Sequence, residues 1–431
     1  MFNKTISGFS KLTKSQKINW LKENFLEGDI KAVETLEKFW NPDDTFQKLF
    51  DGFSENTISN FPIPFGIVPN VKINGKIYAV PMVIEESSVV AAASAGAKYW
   101  LKRGGFHTEI IGTTKEGQVH FIWHGDSEVL SAYFAEIKPQ LIAHAQPITE
   151  NMQKRGGGIV DIVLKNFTAE ERDYFQLKVT FQTCDAMGAN FINSVLEDIA
   201  QIFTTLLTDK TANPPMIVMS ILSNYTPQCV VRTSVECPVS DFNDKHAEFY
   251  AEKFRRAVRI AQIDTYRAVT HNKGIMNGVD AVVLATANDF RAIEACAHAY
   301  AARDGKYRSL SSCTIENNYF RFWLEIPLAV GTVGGLTNLH PLAQLSMRIL
   351  GQPCAEELMS VIATIGLAQN FAALRSLVTT GIQHGHMKMH LTNILHQYQA
   401  SFDETEQAII YFADKTVSVS AVRSFLENMR G

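Results

Sequence analysis

Closely spaced cysteine pairs are missing from this chain; its six cysteines, Cys184, Cys229, Cys237, Cys296, Cys313 and Cys354, stand far apart. That excludes a disulfide-stapled secreted module and points to reduced thiols in a cytoplasmic protein. Neither sign of charge is in excess: 40 Lys and Arg against 44 Asp and Glu leave a net charge of -4. No broad basic field exists for a phosphate backbone, so nucleic acid is not an expected partner. No apolar run is expected to cross a membrane, a span needing about 18 uninterrupted residues. The best candidate, residues 326–345, is broken by Pro327, Gly331, Gly334, Gly335, His340 and Pro341. The polar start MFNKTISGFSKLTKSQK lacks the apolar centre of a signal peptide. A Walker-type phosphate loop is also absent.

What remains is a globular mixture: 431 residues, 46% apolar and 19% charged. One large core or two joined domains fits that length. Periodicity predicts short helices at 15–27 and 29–40, then a hairpin turning on Asn74-Gly75. The small apolar segment 87–101 predicts a tightly packed helix opened by its serines. Segments 118–124, 127–144, 158–167, 174–184, 187–207 and 216–225 read as strand, helix, strand, strand, helix, strand. That is the order of a ferredoxin-like unit. A helix is expected at 246–263, and a long one at 277–302, apolar around most of its circumference and hence central and buried. Beyond a strand at 319–327, helices are expected at 341–350 and 354–378, with short polar ones after residue 380.

Several local patterns suggest chemistry and fail on context. Gly156-Gly157-Gly158 precedes a strand and has Asp161 in place of a Rossmann turn's last glycine. His386 and His390 lie four apart, without the Glu of a zinc-protease helix, and read as polar helix residues. The small residues around Ser94 loosely match a nucleophile elbow, but a packed helix explains them more simply. Others resist dismissal. Glu85 and Glu86 end an apolar strand, where folding alone does not place charge, and strand alternation points them to opposite faces. Asp185 and Gly188 suit a helix N-terminus that binds phosphate or merely caps itself. Lys273 lies among polar residues and glycines just before the long helix, and Asp289 sits inside it. A buried Asp near a Lys is a structural ion pair or a catalytic one.

Together these segments are specific. ENTIS at Glu55, VPMVIEESSVVAAAS ending at Ser94, DAMGAN at Asp185, THNKGIMNGVDA, ATANDFRA, HPLAQLS, GLAQN and GHMKMH occur in that order. Over about residues 52–385 the chain resembles the 3-hydroxy-3-methylglutaryl-CoA reductases, specifically their class II, bacterial branch without a membrane anchor. The resemblance implies reduction of hydroxymethylglutaryl-CoA to mevalonate with two hydrides from NAD(P)H, or the reverse. The expected fold is α+β. A large mixed α/β domain spans 1–112 and 226–379, and an inserted ferredoxin-like β-α-β-β-α-β domain at 113–225 binds the dinucleotide. A helical C-terminal flap covers 380–431.

The resemblance also implies roles. Lys273 matches the group that stabilises the oxyanion, and Glu86 the proton-shuttling acid, its pKa raised by burial. Asp289 matches the Asp that bonds to both, and His386 the acid that protonates the CoA thiolate from a mobile tail. Ser88, Arg267, Asn277 and Asn370 match substrate-binding residues; Glu55, Asn56, Ile58 and His390 match the coenzyme A side, with Ser59 at the family's usual glycine. Asp185, Met187, Gly188, Asn190 and Asn224 match the cofactor segment. Relatives that prefer NADH carry an acid seven positions before the glycine triplet, where this chain has Thr149, beside Glu150 and near Lys154 and Arg155. NADPH is therefore expected, with NADH the alternative. Family active sites form between subunits, so a homodimer or an assembly of dimers is implied. The rival readings are a non-catalytic nucleotide- or CoA-binding relative and an acyl-CoA hydrolase using Ser94.

Overall fold

In the computed structural model, which describes residues 4–211, 213–242, 246–379, 391–412, 415 and 417–431, contacts divide the chain into Met1–Pro64 and Phe65–Gly431. The first unit holds α1 (Lys14–Phe25), α2 (Ile30–Lys38) and α3 (Asp44–Asp51). Each begins on a side chain that accepts from a free backbone N–H: Thr13, Asp29 and Asp43. Lys14 pairs with Asp51 at 2.9 Å, and the Trp40 indole donates to the Ile58 carbonyl at 2.9 Å.

The second unit opens on a hairpin, β1 (Phe65–Ile73) and β2 (Lys76–Val83). Asn74 at φ 46° and Gly75 at φ 89° supply the two left-handed residues that a tight hairpin turn of the I′ kind requires. Then come α4 (Ser87–Leu101), β3 (His107–Ile110), β4 (Lys115–Ile122), α5 (Ser127–His144), α6 (Gln146–Gln153), β5 (Gly158–Asn166) and β6 (Tyr174–Gln182). They are followed by α7 (Ala189–Lys210), β7 (Met216–Leu222), β8 (Val230–Pro238), α8 (Ala247–Ile263), α9 (Thr265–Ala285) and α10 (Phe290–Ala301). The series ends with β9 (Ser311–Glu316), β10 (Tyr319–Pro327), α11 (Pro341–Ile349) and α12 (Ala355–Val378). Two further helices, Phe402–Tyr411 and Val419–Arg430, bury Ala408, Phe412, Val422 and Leu426 in a small cluster with Leu391 and Ile394.

Two four-stranded antiparallel sheets organise this unit, one in the order β3-β8-β10-β9 and one β5-β6-β4-β7. In the second, Phe175, Leu177, Val179 and Phe181 of β6 alternate inward and meet Val195, Leu196, Ile199 and Phe203 of α7. The larger core gathers around α12, which packs on α4, α9 and β8.

That helix corrects two expectations. The central buried helix is α12 and not 277–302, which breaks into α9 and α10. The break falls at residues 286–289, where Ala287 takes φ 54° and Asp289 caps the next helix. α12 is also long and apolar enough to cross a membrane, contrary to the expected lack of such a run, but 72% of its apolar window is buried inside the protein. It is a core helix.

Glycine explains the close approach of its neighbours. A Cβ on Gly96 of α4 would lie 2.5 Å from the Ala368 carbonyl oxygen, and one on Gly278 of α9 would lie 2.8 Å from that of Ile365. In an exposed helix Gly→Ala stabilises by about 1 kcal/mol. Gly96→Ala should instead lower stability by about 1–3 kcal/mol, the cost of overpacking against backbone. A thermal melt that rose on this substitution would contradict the crossing.

Candidate active site

Glu86 does not end a strand: β2 stops at Val83, and Glu86 is the N-cap of α4. Lys273 is not in a loop before a helix either. Asp264 caps α9 through the Tyr266 and Arg267 N–H groups, so the whole polar stretch around Lys273 is helical. α9 packs beside β2, which brings the two side chains together. Lys273 Nζ lies 3.2 Å from Glu86 Oε2, and Ser88 Oγ donates to Oε1 at 2.8 Å. The pair is open, 63% exposed at Lys273 and 38% at Glu86, so the expected burial of Glu86 is not found among the described residues.

Asp289 differs more. It is neither inside a helix nor isolated, because as an N-cap its Oδ1 accepts from the N–H groups of Arg291 and Ala292 at 3.1 and 3.2 Å. Its Oδ2 pairs with the Arg291 guanidinium at 3.0 Å, and 37% of the side chain is exposed.

Two networks on the same helix went unnoticed in the sequence. Asp280 lies seven residues, two turns, after Lys273 on one face of α9. Its carboxyl faces Glu294 of α10, and burial first and that neighbour second push it up to about 8. On another face His271 Nε2 meets Ser311 Oγ at 2.6 Å, and Ser311 donates to Asn370 Oδ1 at 2.8 Å. Asn370 is thus only 2% exposed, with its carbonyl already occupied. Burial, then the Arg267 charge, drives His271 down to about 3, which keeps it neutral. Arg267 itself is half-buried, held below its ordinary value by desolvation, and has no acidic partner among the described residues. Asn277 is half-buried one turn beyond Lys273. The spacing from Lys273 was the one signal for Asp280; only tertiary packing reveals its partner.

The second group of residues surrounds the turn from β6 to α7. Gly188 at φ 94° leads into α7, and a Cβ there would strike Thr183 at 2.6 Å. Met187 and Asn224 line one cleft with Lys115, whose buried ammonium donates to Thr183 Oγ1 at 2.6 Å and the Ala186 carbonyl at 2.7 Å. Desolvation lowers the pKa of Lys115. Asp185 Oδ1 accepts from Ala355 N–H at 2.8 Å, while Asn190 is exposed on the first turn of α7. Gly156 and Asp185 line a neighbouring pocket, and Cys184 Sγ donates to the Arg155 carbonyl at 3.1 Å, which ties the glycine triplet to this turn. Thr149 is 1% exposed and bonds back to Ala145, so it faces the core. Lys154 is paired with Glu150 at 2.7 Å on the surface, and Arg155 is exposed. Glu55, Asn56 and Ile58 belong to the first unit, where Asn56 takes φ 59°. His386 and His390 lie outside the described residues.

Comparison with known proteins decides the family. The model of the hydroxymethylglutaryl-coenzyme A reductases matches residues 15–391. The chain belongs to this family. Among hydroxymethylglutaryl-CoA reductases, that of Archaeoglobus fulgidus is 35% identical over 99% of the chain and 94% of its own length. The probable one of Borreliella burgdorferi is 35% identical over 81% and 79%. A solved Streptococcus pneumoniae hydroxymethylglutaryl-CoA reductase superposes with a TM-score of 0.74 at 37% identity, over 98% of this chain and 100% of that one. The same organism's class II reductase, solved with NADPH in open conformations, gives 0.73 at 36% identity over 93% and 99%. Like these hydroxymethylglutaryl-CoA reductases, the chain is a mixed α/β protein with antiparallel sheets.

Proposed function

We propose that this chain reduces hydroxymethylglutaryl-CoA to mevalonate and free coenzyme A with two hydrides from NADPH. The observation that carries the reading is the Lys273–Glu86 pair, an ammonium 3.2 Å from a carboxylate at an open surface. When bound, the reduced dinucleotide supplies the hydrides. The turn at 185–190 suits it: among the described residues no side chain caps the start of α7, and Gly156 nearby leaves open space where a Cβ would otherwise stand. Asp185, Met187, Gly188, Asn190 and Asn224 would hold it.

The chain's own residues have the remaining work. Lys273 donates to the thioester oxygen as negative charge develops there, and to the aldehyde oxygen in the second reduction. Glu86, steered by Lys273 and Ser88, delivers the proton that each alkoxide needs and takes back the hemithioacetal hydroxyl proton as the carbon–sulfur bond breaks. Asp289, on the turn that follows α9, tunes that proton transfer on closure, and His386 protonates the departing thiolate. Arg267, without an acidic partner among the described residues, suits the substrate's terminal carboxylate. Ser88, Asn277 and Asn370 complete that pocket, and Glu55, Asn56, Ile58 and His390 serve coenzyme A. The β5-β6-β4-β7 sheet with α5 and α7 is proposed as the ferredoxin-like dinucleotide domain, 113–225, inserted between 1–112 and 226–379, with 380–431 as the flap. A cytoplasmic homodimer goes with this reading.

The rival hydrolase finds little support, since Ser94 Oγ donates back to the Val90 carbonyl of its own helix at 2.7 Å. Assaying free thiol with and without reduced dinucleotide separates them: a reductase releases thiol only when the dinucleotide is present. Release without it would establish the hydrolase.

Cofactor choice has its own test. Lys154 is already neutralised by Glu150, which leaves Arg155 as the cation for a 2′-phosphate. A charge-assisted contact is worth about 1.5–3 kcal/mol. Arg155→Ala should therefore raise the NADPH Michaelis constant at least tenfold and leave that for NADH unchanged. Parallel changes for the two cofactors would mean that the phosphate is not read here.

A further inference from the structure

Two separate turns grip the same short piece of backbone. After β10 the chain passes Gly331, bends at Thr332 and reaches Val333, which forms an isolated bridge. On one side Asn288 holds Gly331 with both halves of its amide. Gly331 N–H donates to Asn288 Oδ1 at 2.8 Å, and Asn288 Nδ2 donates to the Gly331 carbonyl at 3.1 Å. On the other side Thr332 N–H donates to the Asp185 carbonyl at 2.8 Å, and Val333 bridges Ala186. Gly331 leaves no slack between them: a Cβ there would lie 2.3 Å from Met187 N.

We propose that Asn288 is a positioning residue for hydride transfer, setting through Gly331 the distance between the dinucleotide turn at 185–187 and the turn that carries Asp289. The inference rests on the reading of these turns as the cofactor and acid–base sides of a reductase.

The mechanical argument is short. Asn288 adjoins Asp289, so about 3.8 Å of fixed covalent geometry separates the two Cα atoms. An amide bonded at both ends ties the two peptide groups that flank Gly331, the N–H of one and the carbonyl of the other, and so fixes Gly331 in distance and orientation as a single hydrogen bond does not. Gly331 then passes that position to Met187 by van der Waals contact. The dinucleotide turn is rigid beyond this point, because Lys115 and Thr183 both hold the Ala186 carbonyl and Ala355 holds Asp185. A displacement at Asn288 therefore reaches the cofactor side as a whole. Misplacing reacting groups by about 1 Å costs roughly a hundredfold in rate. A residue that merely stabilised the break between α9 and α10 would change melting temperature and affinities, and would leave the hydride step alone.

The test uses the full-length enzyme in single turnover, at saturating hydroxymethylglutaryl-CoA and NADPH, following oxidation of the nicotinamide. Wild-type turnover comes first, and its absence would refute the reductase reading and not the positioning role. Asn288→Ala cuts the link, and Asn288→Asp keeps its shape but turns the donor into an acceptor facing a carbonyl. Gly331→Ala pushes Met187 from the other side, which keeps the test alive if one variant does not fold. The expected result is a hydride-transfer rate lowered by about 10–100-fold in every folded variant, with Michaelis constants for both substrates within about twofold of wild type. A wild-type hydride rate in any folded variant, or a loss appearing only as a raised Michaelis constant, would overturn the proposal.

Discussion

Lys273→Ala should lower kcat for hydroxymethylglutaryl-CoA by about a thousandfold, because a fixed donor at a developing oxyanion acts mainly in the transition state. Michaelis constants and melting temperature should stay near wild type. Lys273 is 63% exposed and its salt bridge to Glu86 is a surface pair that contributes little to folding. Lys273→Arg keeps the charge but replaces a compact ammonium by a planar fork, and should recover only a small part of the loss. Steady-state kinetics on the purified variants decides the matter. A Lys273→Ala enzyme with more than a tenth of wild-type kcat would remove Lys273 from the oxyanion role.

The carboxyl pair between α9 and α10 should make the protein lose stability as pH rises. Asp280 has an ordinary value of 3.8; burial, then Glu294, pushes it up to about 8 in the folded chain. Folding therefore takes up a proton between roughly pH 4 and pH 8. The stabilisation is fully present below that window, falls across it and is lost once pH has passed its upper end. One pKa unit corresponds to about 1.4 kcal/mol. Discounted because water reaches part of the site, the loss comes to roughly 2–3 kcal/mol. Asp280→Asn keeps a donor toward Glu294 without the titration, so relative to wild type it should gain stability between pH 5 and pH 9. Urea melts at both values measure this. Identical pH slopes for variant and wild type would show that the pair does not carry the proton.

Local signals account for what could be read from the chain. Helix α4 was legible to the residue, because its small side chains end at Leu101 before the Gly104-Gly105 pair. α5 was equally legible from Asp126 at its start, and the hairpin from Asn74-Gly75. Family motifs led to Glu86, Lys273 and the turn at 185–190, and the structure puts the first two within contact distance. The break at 286–289 was hidden. Thr-Ala-Asn-Asp contains neither glycine nor proline, and Ala287 holds a left-handed conformation only with tertiary support. Gly331 provides it by bonding Asn288, and Thr337 Oγ1 adds a bond to the Thr286 carbonyl at 3.1 Å. The same reason hid Asp280. Its partner comes from a helix fourteen residues on, and no periodicity in α9 announces a carboxyl neighbour across a turn that was read as helix.

The central claim is a four-electron reduction at one site, and stoichiometry tests it most directly. Hydroxymethylglutaryl-CoA is supplied in limiting amount with excess NADPH, and oxidised dinucleotide, free thiol and mevalonate are all measured at completion. The account predicts two dinucleotides oxidised for each thiol and each mevalonate released. One dinucleotide per thiol, or thiol release without any oxidation, would contradict it.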